Sequence, residues 1–219
     1  MRVVLMGPPG VGKGTQATRL SALLGVIHVS TGDILRDAVK GGSALGRKVR
    51  TFVEGGKLVP DDLMGDLIED RLQKDDASRG FVLDGFPRTV EQVSILDRAL
   101  RNLDVRIDHV FVLTAPEDEI VRRLAGRRVC PGCKAVYHLE NKPPKSAGVC
   151  DSCGSALIQR SDDEEEVIRE RLAVYAESTA PVAGTYAERG TLVEIDGHGD
   201  PDAVGARLRA AIGAEGDRA

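Results

Sequence analysis

The sequence predicts an α/β fold in three layers, a five-stranded parallel sheet between helices, with two insertions. Three observations carry this. Short apolar runs at residues 3–6, 26–29, 81–83, 107–113 and 192–195 are each followed by a helical pattern, the alternation that builds parallel sheets. A glycine-rich stretch, 7–15, joins the first run to the first helix. A glycine-punctuated stretch at 30–59 and a segment carrying two CxxC pairs break the alternation and mark the insertions.

With 219 residues, 42% hydrophobic and 29% charged, the chain can bury one substantial core and a small appendage. The net charge of -4 gives no general attraction to nucleic acid or anionic lipid, so neither is expected as a partner. The first apolar run is too short for a signal peptide or a membrane span, and a soluble cytoplasmic protein is expected. In that compartment thiols stay reduced, so the four cysteines point to a metal before disulfides.

In chain order, the first strand leads into GPPGVGKGT, where Gly7, Gly10, Gly12 and Gly14 let backbone N–H groups turn inward at a helix N-terminus. A polyphosphate is the expected guest, with Lys13 supplying charge and Thr15 a hydroxyl. The strict G-x-x-x-x-G-K-[ST] pattern wants that hydroxyl where this chain has Gly14, which puts direct metal ligation by Thr15 in question. The helix from 13 to about 24 keeps Ala17, Leu20 and Leu24 on one face.

After the second strand, Ser30 and Asp33 stand at capping-box spacing, and Arg36 falls one turn inside that helix, where it could meet an anion. Residues 30–59 read as short helices on glycine joints, a mobile flap. Pro60, Asp61 and Asp62 open a helix to about Gln73. The third strand ends in Asp84-Gly85-Phe86-Pro87-Arg88, before a helix capped by Thr89 with Gln92 three residues on. A carboxylate at a strand's carboxyl end faces the same crevice as the phosphate loop, so Asp84 can hold Mg²⁺ through water, although Asp-Gly is also an ordinary turn. Gly85 and Pro87 shape the turn that presents Arg88.

The fourth strand precedes a helix opened by Pro116 and Glu117 and expected to end in Arg122-Arg123-Leu124-Ala125-Gly126-Arg127-Arg128. Four arginines in seven residues repel one another unless solvent or an anion screens them. Cys130 and Cys133, then Cys150 and Cys153 sixteen residues later, form two knuckles suited to one tetrahedral Zn²⁺. With all four positions thiolate, that metal is structural; disulfides are the alternative. Val136 and Tyr137 suit one strand of a hairpin whose return follows Pro143-Pro144. Ser161 and Glu164 repeat the capping-box spacing and are expected to begin a long helix, with Arg160 before it and Arg169 and Arg171 along it, solvated or anion-facing. The acidic run from Asp162 suits its N-terminus. The fifth strand, the loop Asp196-Gly197-His198-Gly199 and a last helix from Asp200-Pro201 close the chain, with 215–219 expected to fray. The four histidines share no spacing, and none is assigned a role.

GPPGVGKGT, STGDILR, DGFPRT, LAGRRV and RSDDEE, in this order, resemble the adenylate kinase family of P-loop nucleoside monophosphate kinases in its long-lid, zinc-bearing form. The resemblance covers essentially the whole chain, and the family is similar in having Gly14's G-K-G-T. It implies ATP + AMP giving two ADP with Mg²⁺, in nucleotide homeostasis and purine salvage, by a monomer. It further implies a core of 1–29, 60–125 and 164–219, an AMP-binding flap at 30–59 and a zinc-binding lid at 126–163. ATP would be held by Gly10, Val11, Gly12, Lys13, Gly14, Thr15, Arg127, Val136, Tyr137 and a backbone contact at Gly199. AMP would be held by Thr31, Arg36, Lys57, Leu58, Val59, Gly85, Phe86, Pro87, Arg88 and Gln92, the last reading the adenine edge. Arg123, Arg160 and Arg171 would converge on the phosphates, the latter two also bordering AMP, and with Lys13, Arg88 and Asp84 carry catalysis. A switch NTPase would leave STGDILR and DGFPR without purpose, and a zinc-ribbon nucleic-acid adaptor is disfavoured by 3% aromatic content. A kinase of another monophosphate differs only in base choice.

Overall fold

The computed structural model describes residues 1–216. Its centre is β1 (Arg2–Met6), whose Val3, Val4 and Leu5 are at most 1% exposed. A strand so apolar must be covered on both faces. It lies between β3 (Phe81–Asp84) and β4 (His109–Thr114), with β2 (Ile27–Ser30) and β7 (Leu192–Asp196) outside them, in the order β2-β3-β1-β4-β7 and parallel throughout.

The two-residue period of the strands sorts their side chains between two cores. Val4, Met6, Leu83 and Val112 face α4 (Asp61–Leu72), α5 (Val90–Asn102) and α8 (Val182–Glu188), meeting Ile68, Leu96 and Val182. Val3, Leu5, Val82 and Phe111 face α1 (Lys13–Leu24) and α9 (Pro201–Gly216), meeting Ala17, Leu20 and Leu208. Each large side chain fully buried there contributes about 1.5–3 kcal/mol. The expected frayed end is helical backbone to Gly216; 217–219 lie outside the described residues.

Four of the five strands run one residue further toward their carboxyl ends than the apolar runs suggest. Ser30 pairs with Asp84 and Thr114 with Asp196, so the sheet continues into polar residues facing the crevice. An apolar-run criterion stops short of them.

The flap consists of α2 (Thr31–Lys40) and α3 (Ala44–Glu54), capped by Ser30, whose hydroxyl accepts from the Asp33 N–H at 3.3 Å, and by Ser43. Gly46 lets them cross closely: a Cβ there would fall 1.9 Å from the Ala38 carbonyl oxygen. Leu35 and Val49 bury the flap's inner side against the core. α6 (Glu117–Ala125) packs on α7 (Glu165–Val174) through Ile120, Leu124 and Ile168.

Three local expectations are corrected. The helix ends at Ala125, and Arg127 and Arg128 begin the lid strand β5 (Arg127–Val129), because the chain turns at Gly126, where a Cβ would strike the His138 ring at 2.4 Å. The lid hairpin pairs β5 with β6 (Val136–His138) around the first knuckle, closed by Cys130 N–H to Ala135 O at 2.9 Å; the return after Pro144 adds single bridges such as Val129 to Ile158. Ser161 caps no helix: Ser161–Asp163 is a 3₁₀ turn and α7 starts at Glu165, since Asp162 and Asp163 turn inward to arginines. Among the described residues no helix is long and apolar enough to cross a membrane.

Candidate active site

The loop between β1 and α1 wraps back on itself with φ of 134° at Gly7, 81° at Gly10 and 106° at Gly12. At Gly7 any side chain is excluded twice, by that φ and by the Leu113 carbonyl oxygen, 2.3 Å from where a Cβ would lie. The Lys13 ammonium donates to the carbonyls of Gly7 at 2.7 Å and Pro8 at 2.9 Å. Desolvation pushes it down to about 7, opposed by Asp84 and reinforced by Arg88, Arg171 and Arg127. Asp84, ending β3, faces Gly14, its Oδ2 3.5 Å from the position of a Cβ there and 3.5 Å from His28 Nε2. Thr15 is exposed in the first turn of α1.

Beyond the lysine, Arg36, Arg88, Arg127, Arg160 and Arg171 gather from five separate segments. Arg127 donates to Asp163 at 2.8 Å, Arg171 to the Asp162 carbonyl at 2.6 Å, and Arg36 to Asp33 at 2.7 Å; Arg160 stands 3.8 Å from Asp33. Six cationic side chains thus face four carboxylates, those of Asp33, Asp84, Asp162 and Asp163. The excess is felt: burial and then Arg171 bring Arg88 down to about 10, and burial, Arg36 and Arg127 do the same to Arg160. Burial opposes ionisation of Asp162, but Arg171 and Arg36 outweigh it and hold that carboxyl below its ordinary range. An added anion of two or more charges is what such a cluster lacks.

A cleft walled by the flap helices, α4 and the start of α5 opens beside the cluster. Leu35, Val53, Val59 and Met64 form its apolar wall, Thr31, Arg36, Arg88 and Gln92 its polar one, and Gly56, Lys57 and Leu58 its rim. Thr31 donates to the Gly85 carbonyl at 2.9 Å and Arg88 Nε to the same oxygen at 2.8 Å. Phe86 is buried in the core, and neither it nor Pro87 lines the cleft.

Some expected residues are placed differently. Arg123 stands on the far side of the glycine loop; it donates to the carbonyls of Val11 at 3.2 Å and Gly197 at 3.1 Å and toward Gly199, and pairs with Glu119. Tyr137 is turned into the lid, its hydroxyl accepting from the Asp151 N–H at 2.8 Å and meeting Cys150 Sγ at 3.5 Å, while Val136 is exposed. Asp162 and Asp163, read from sequence as helix-end acids, organise the arginines. Their signal was present: an acidic pair between Arg160 and Arg171, next to the expected anion site.

In the lid, Sγ atoms of Cys130, Cys133, Cys150 and Cys153 lie within 4.8 Å of one another. The separations of 3.3 Å (Cys130 to Cys153) and 3.5 Å (Cys133 to Cys150) are far longer than the S–S bond of about 2.0 Å and close to the ~3.8 Å edge of a tetrahedral thiolate site. The donor set fits a closed metal site.

The adenylate kinase family model matches residues 5–191. Adenylate kinase of Kosmotoga olearia is 51% identical over 204 residues, 93% of this chain and 95% of the relative. Adenylate kinase of Methanocella arvoryzae is 50% identical and that of Archaeoglobus fulgidus 45%, each over 212 residues, 97% of this chain and 98% of the relative. Likeness at this level over nearly every residue, with the loop, the cleft and the arginines between them assembled as described, places the chain in the adenylate kinase family.

Proposed function

We propose that this chain divides its family's reaction, ATP + AMP giving two ADP, between two facing sites. The activity is adenylate kinase activity, a phosphotransfer between nucleotides. One observation carries the division of labour: the cationic excess lies between a glycine loop that can take a triphosphate and a cleft that can take a monophosphate.

ATP phosphates rest on the amides of Gly10, Val11, Gly12, Lys13, Gly14 and Thr15, with Lys13 on the outer phosphates and Arg127 above. Val136, Tyr137 and Gly199 offer ATP backbone contacts, supported by the inward turn of the Tyr137 ring. AMP lies in the cleft, its base against Val59 and Met64 with Gln92 on its edge, its phosphate between Arg36 and Arg88. An oxygen of that phosphate attacks the terminal phosphorus of ATP in line; the bond to the bridging oxygen breaks and ADP leaves with that electron pair. Arg88, Arg160 and Arg171 face the equatorial oxygens, and Arg123 braces the loop from Gly197 and Val11. Flap and lid meet at their exposed edges through the Lys134–Asp37 pair and the Lys40 ammonium at the Pro131 carbonyl.

Asp84 offers a hard oxygen donor beside the loop and fits Mg²⁺ held through its waters. Mg²⁺ supplies positive charge to the phosphate oxygens. The thiolate tetrad fits structural Zn²⁺, which holds the lid's two knuckles together. The chain works as a monomer in the cytoplasm, where its thiols stay reduced, and serves nucleotide homeostasis and purine salvage.

The test is the rate of ADP formation from Mg·ATP with AMP, CMP, UMP or GMP. AMP is expected to be fastest, and equal rates overturn the assignment of AMP.

A further inference from the structure

We infer that Asp61 is a specificity-determining positioning residue: it locks the Gln92 side-chain amide in the orientation that reads adenine, without touching the base. This rests on the assignment of Gln92 to the adenine edge. Gln92 borders the cleft and is 1% exposed. Its Oε1 accepts from the Arg88 backbone N–H at 2.7 Å, and its Nε2 donates to Asp61 Oδ1 at 2.7 Å.

A backbone N–H can only donate and a carboxylate can only accept. Flipping the amide would set NH₂ against N–H and carbonyl oxygen against carboxylate, losing both bonds for two repulsions. One orientation therefore survives, and it leaves one lone pair on Oε1 and one N–H on Nε2. Adenine presents an N6–H donor beside the N1 acceptor, which matches. Hypoxanthine, of nearly the same shape, presents an O6 acceptor beside an N1–H donor, which is the reverse polarity. An amide free to flip accepts either base; an amide held from behind by a carboxylate accepts one.

The hold on Asp61 is itself braced. Its Oδ2 accepts from the Thr89 hydroxyl at 3.0 Å, and Thr89 Oγ1 in turn accepts from the Gln92 N–H at 3.1 Å. Asp61 opens α4, outside the flap, so its carboxylate belongs to the core helices. The plain alternative is an acid favoured by the helix N-terminus. Asp62 shares that first turn, is exposed, and so serves as the control.

The experiment compares kcat/KM for AMP and for IMP, with Mg·ATP, in the full chain and in Asp61→Asn, Asp62→Asn and Gln92→Leu. The Asn variant keeps the shape but can donate as well as accept, so a flip of the amide forfeits only the Arg88 bond and no longer sets two acceptors against each other. The AMP/IMP ratio is expected to fall about tenfold, the size of one mismatched hydrogen bond, through KM for AMP with kcat changed less than about twofold. Asp62→Asn is expected to keep the ratio. An unchanged ratio in Asp61→Asn overturns the proposal, as does a loss of kcat equal for both substrates. Gln92→Leu separates the two claims: if it collapses the ratio while Asp61→Asn does not, only the role of Asp61 fails; if it too leaves the ratio intact, the reading of Gln92 fails. Should Asp61→Asn not fold, Asp61→Ser, whose hydroxyl can also donate or accept, carries the same expectation.

Discussion

The guanidinium of Arg171 grips Asp162 twice, at its backbone carbonyl (2.6 Å) and at its carboxylate (3.1 Å). The pair lies on the border of the cleft, with Arg36 3.7 Å from the same carboxylate. These acids hold the arginines in place without neutralising them, which keeps the cluster assembled yet attractive to phosphate.

Removing a buried acid from this cluster strands its partners. Asp163 has a fully buried side chain and faces both Arg127 and Arg171, so Asp163→Asn is expected to cost about 3–5 kcal/mol of stability. Thermal unfolding checks this, and ATP plus AMP should stabilise the variant more than the parent, because phosphate restores the missing charge.

Asp33 and Asp162 both ionise below their ordinary value of 3.8. For a carboxyl depressed in the folded state, the stabilisation is complete above the unfolded value and is lost as pH falls through the folded one. Urea midpoints should therefore decline below pH 3.8, and an Asp162→Asn variant should show a shallower decline.

Lys13 works in the opposite window. Its folded value of about 7 lies below its ordinary 10.5, so the unfolded chain binds the extra proton and stability rises between those two pH values. Phosphate next to the ammonium draws the proton back. Calorimetry of ATP binding at about pH 8, in buffers of different ionisation enthalpy, should show proton uptake, absent in Lys13→Met.

Stripping the lid metal should loosen the lid and spare the core, whose two apolar clusters are independent of the cysteines. Cys150→Ser is expected to lower metal content from one per chain and kcat on the order of tenfold, with the sheet's circular dichroism retained. Full unfolding of the core would contradict this.

The Lys134–Asp37 pair joining lid to flap is exposed, and such pairs contribute about 0.2–1 kcal/mol. Lys134→Glu should raise KM for both nucleotides by no more than about fivefold at low salt, and adding Asp37→Lys should restore it. An effect insensitive to salt would place the cause elsewhere.

Much of the local geometry was legible in the sequence, because glycine loops and CxxC knuckles depend on local spacing. GPPGVGKGT needs only its own glycines to curl, a CxxC knuckle only its own turn, and Ser30 and Thr89 cap helices three residues away. What no spacing revealed were partnerships between distant segments. Asp162 and Asp163 read as helix-end acids until the fold set them against Arg36, Arg127 and Arg171, and Asp61 as a first-turn acid until α4 and α5 packed and gave it Gln92. Nor did any spacing reveal that Arg123 donates to the loop carbonyls of Val11 and Gly197.

The amino-acid sequence by itself determined the strand and helix alternation, the anion loop and the cysteine site, all products of hydrophobic periodicity and short-range turn chemistry. Only the tertiary structure decided which charges meet, since a pairing made across a hundred residues depends on how helices pack on the sheet and leaves no period in the chain to read.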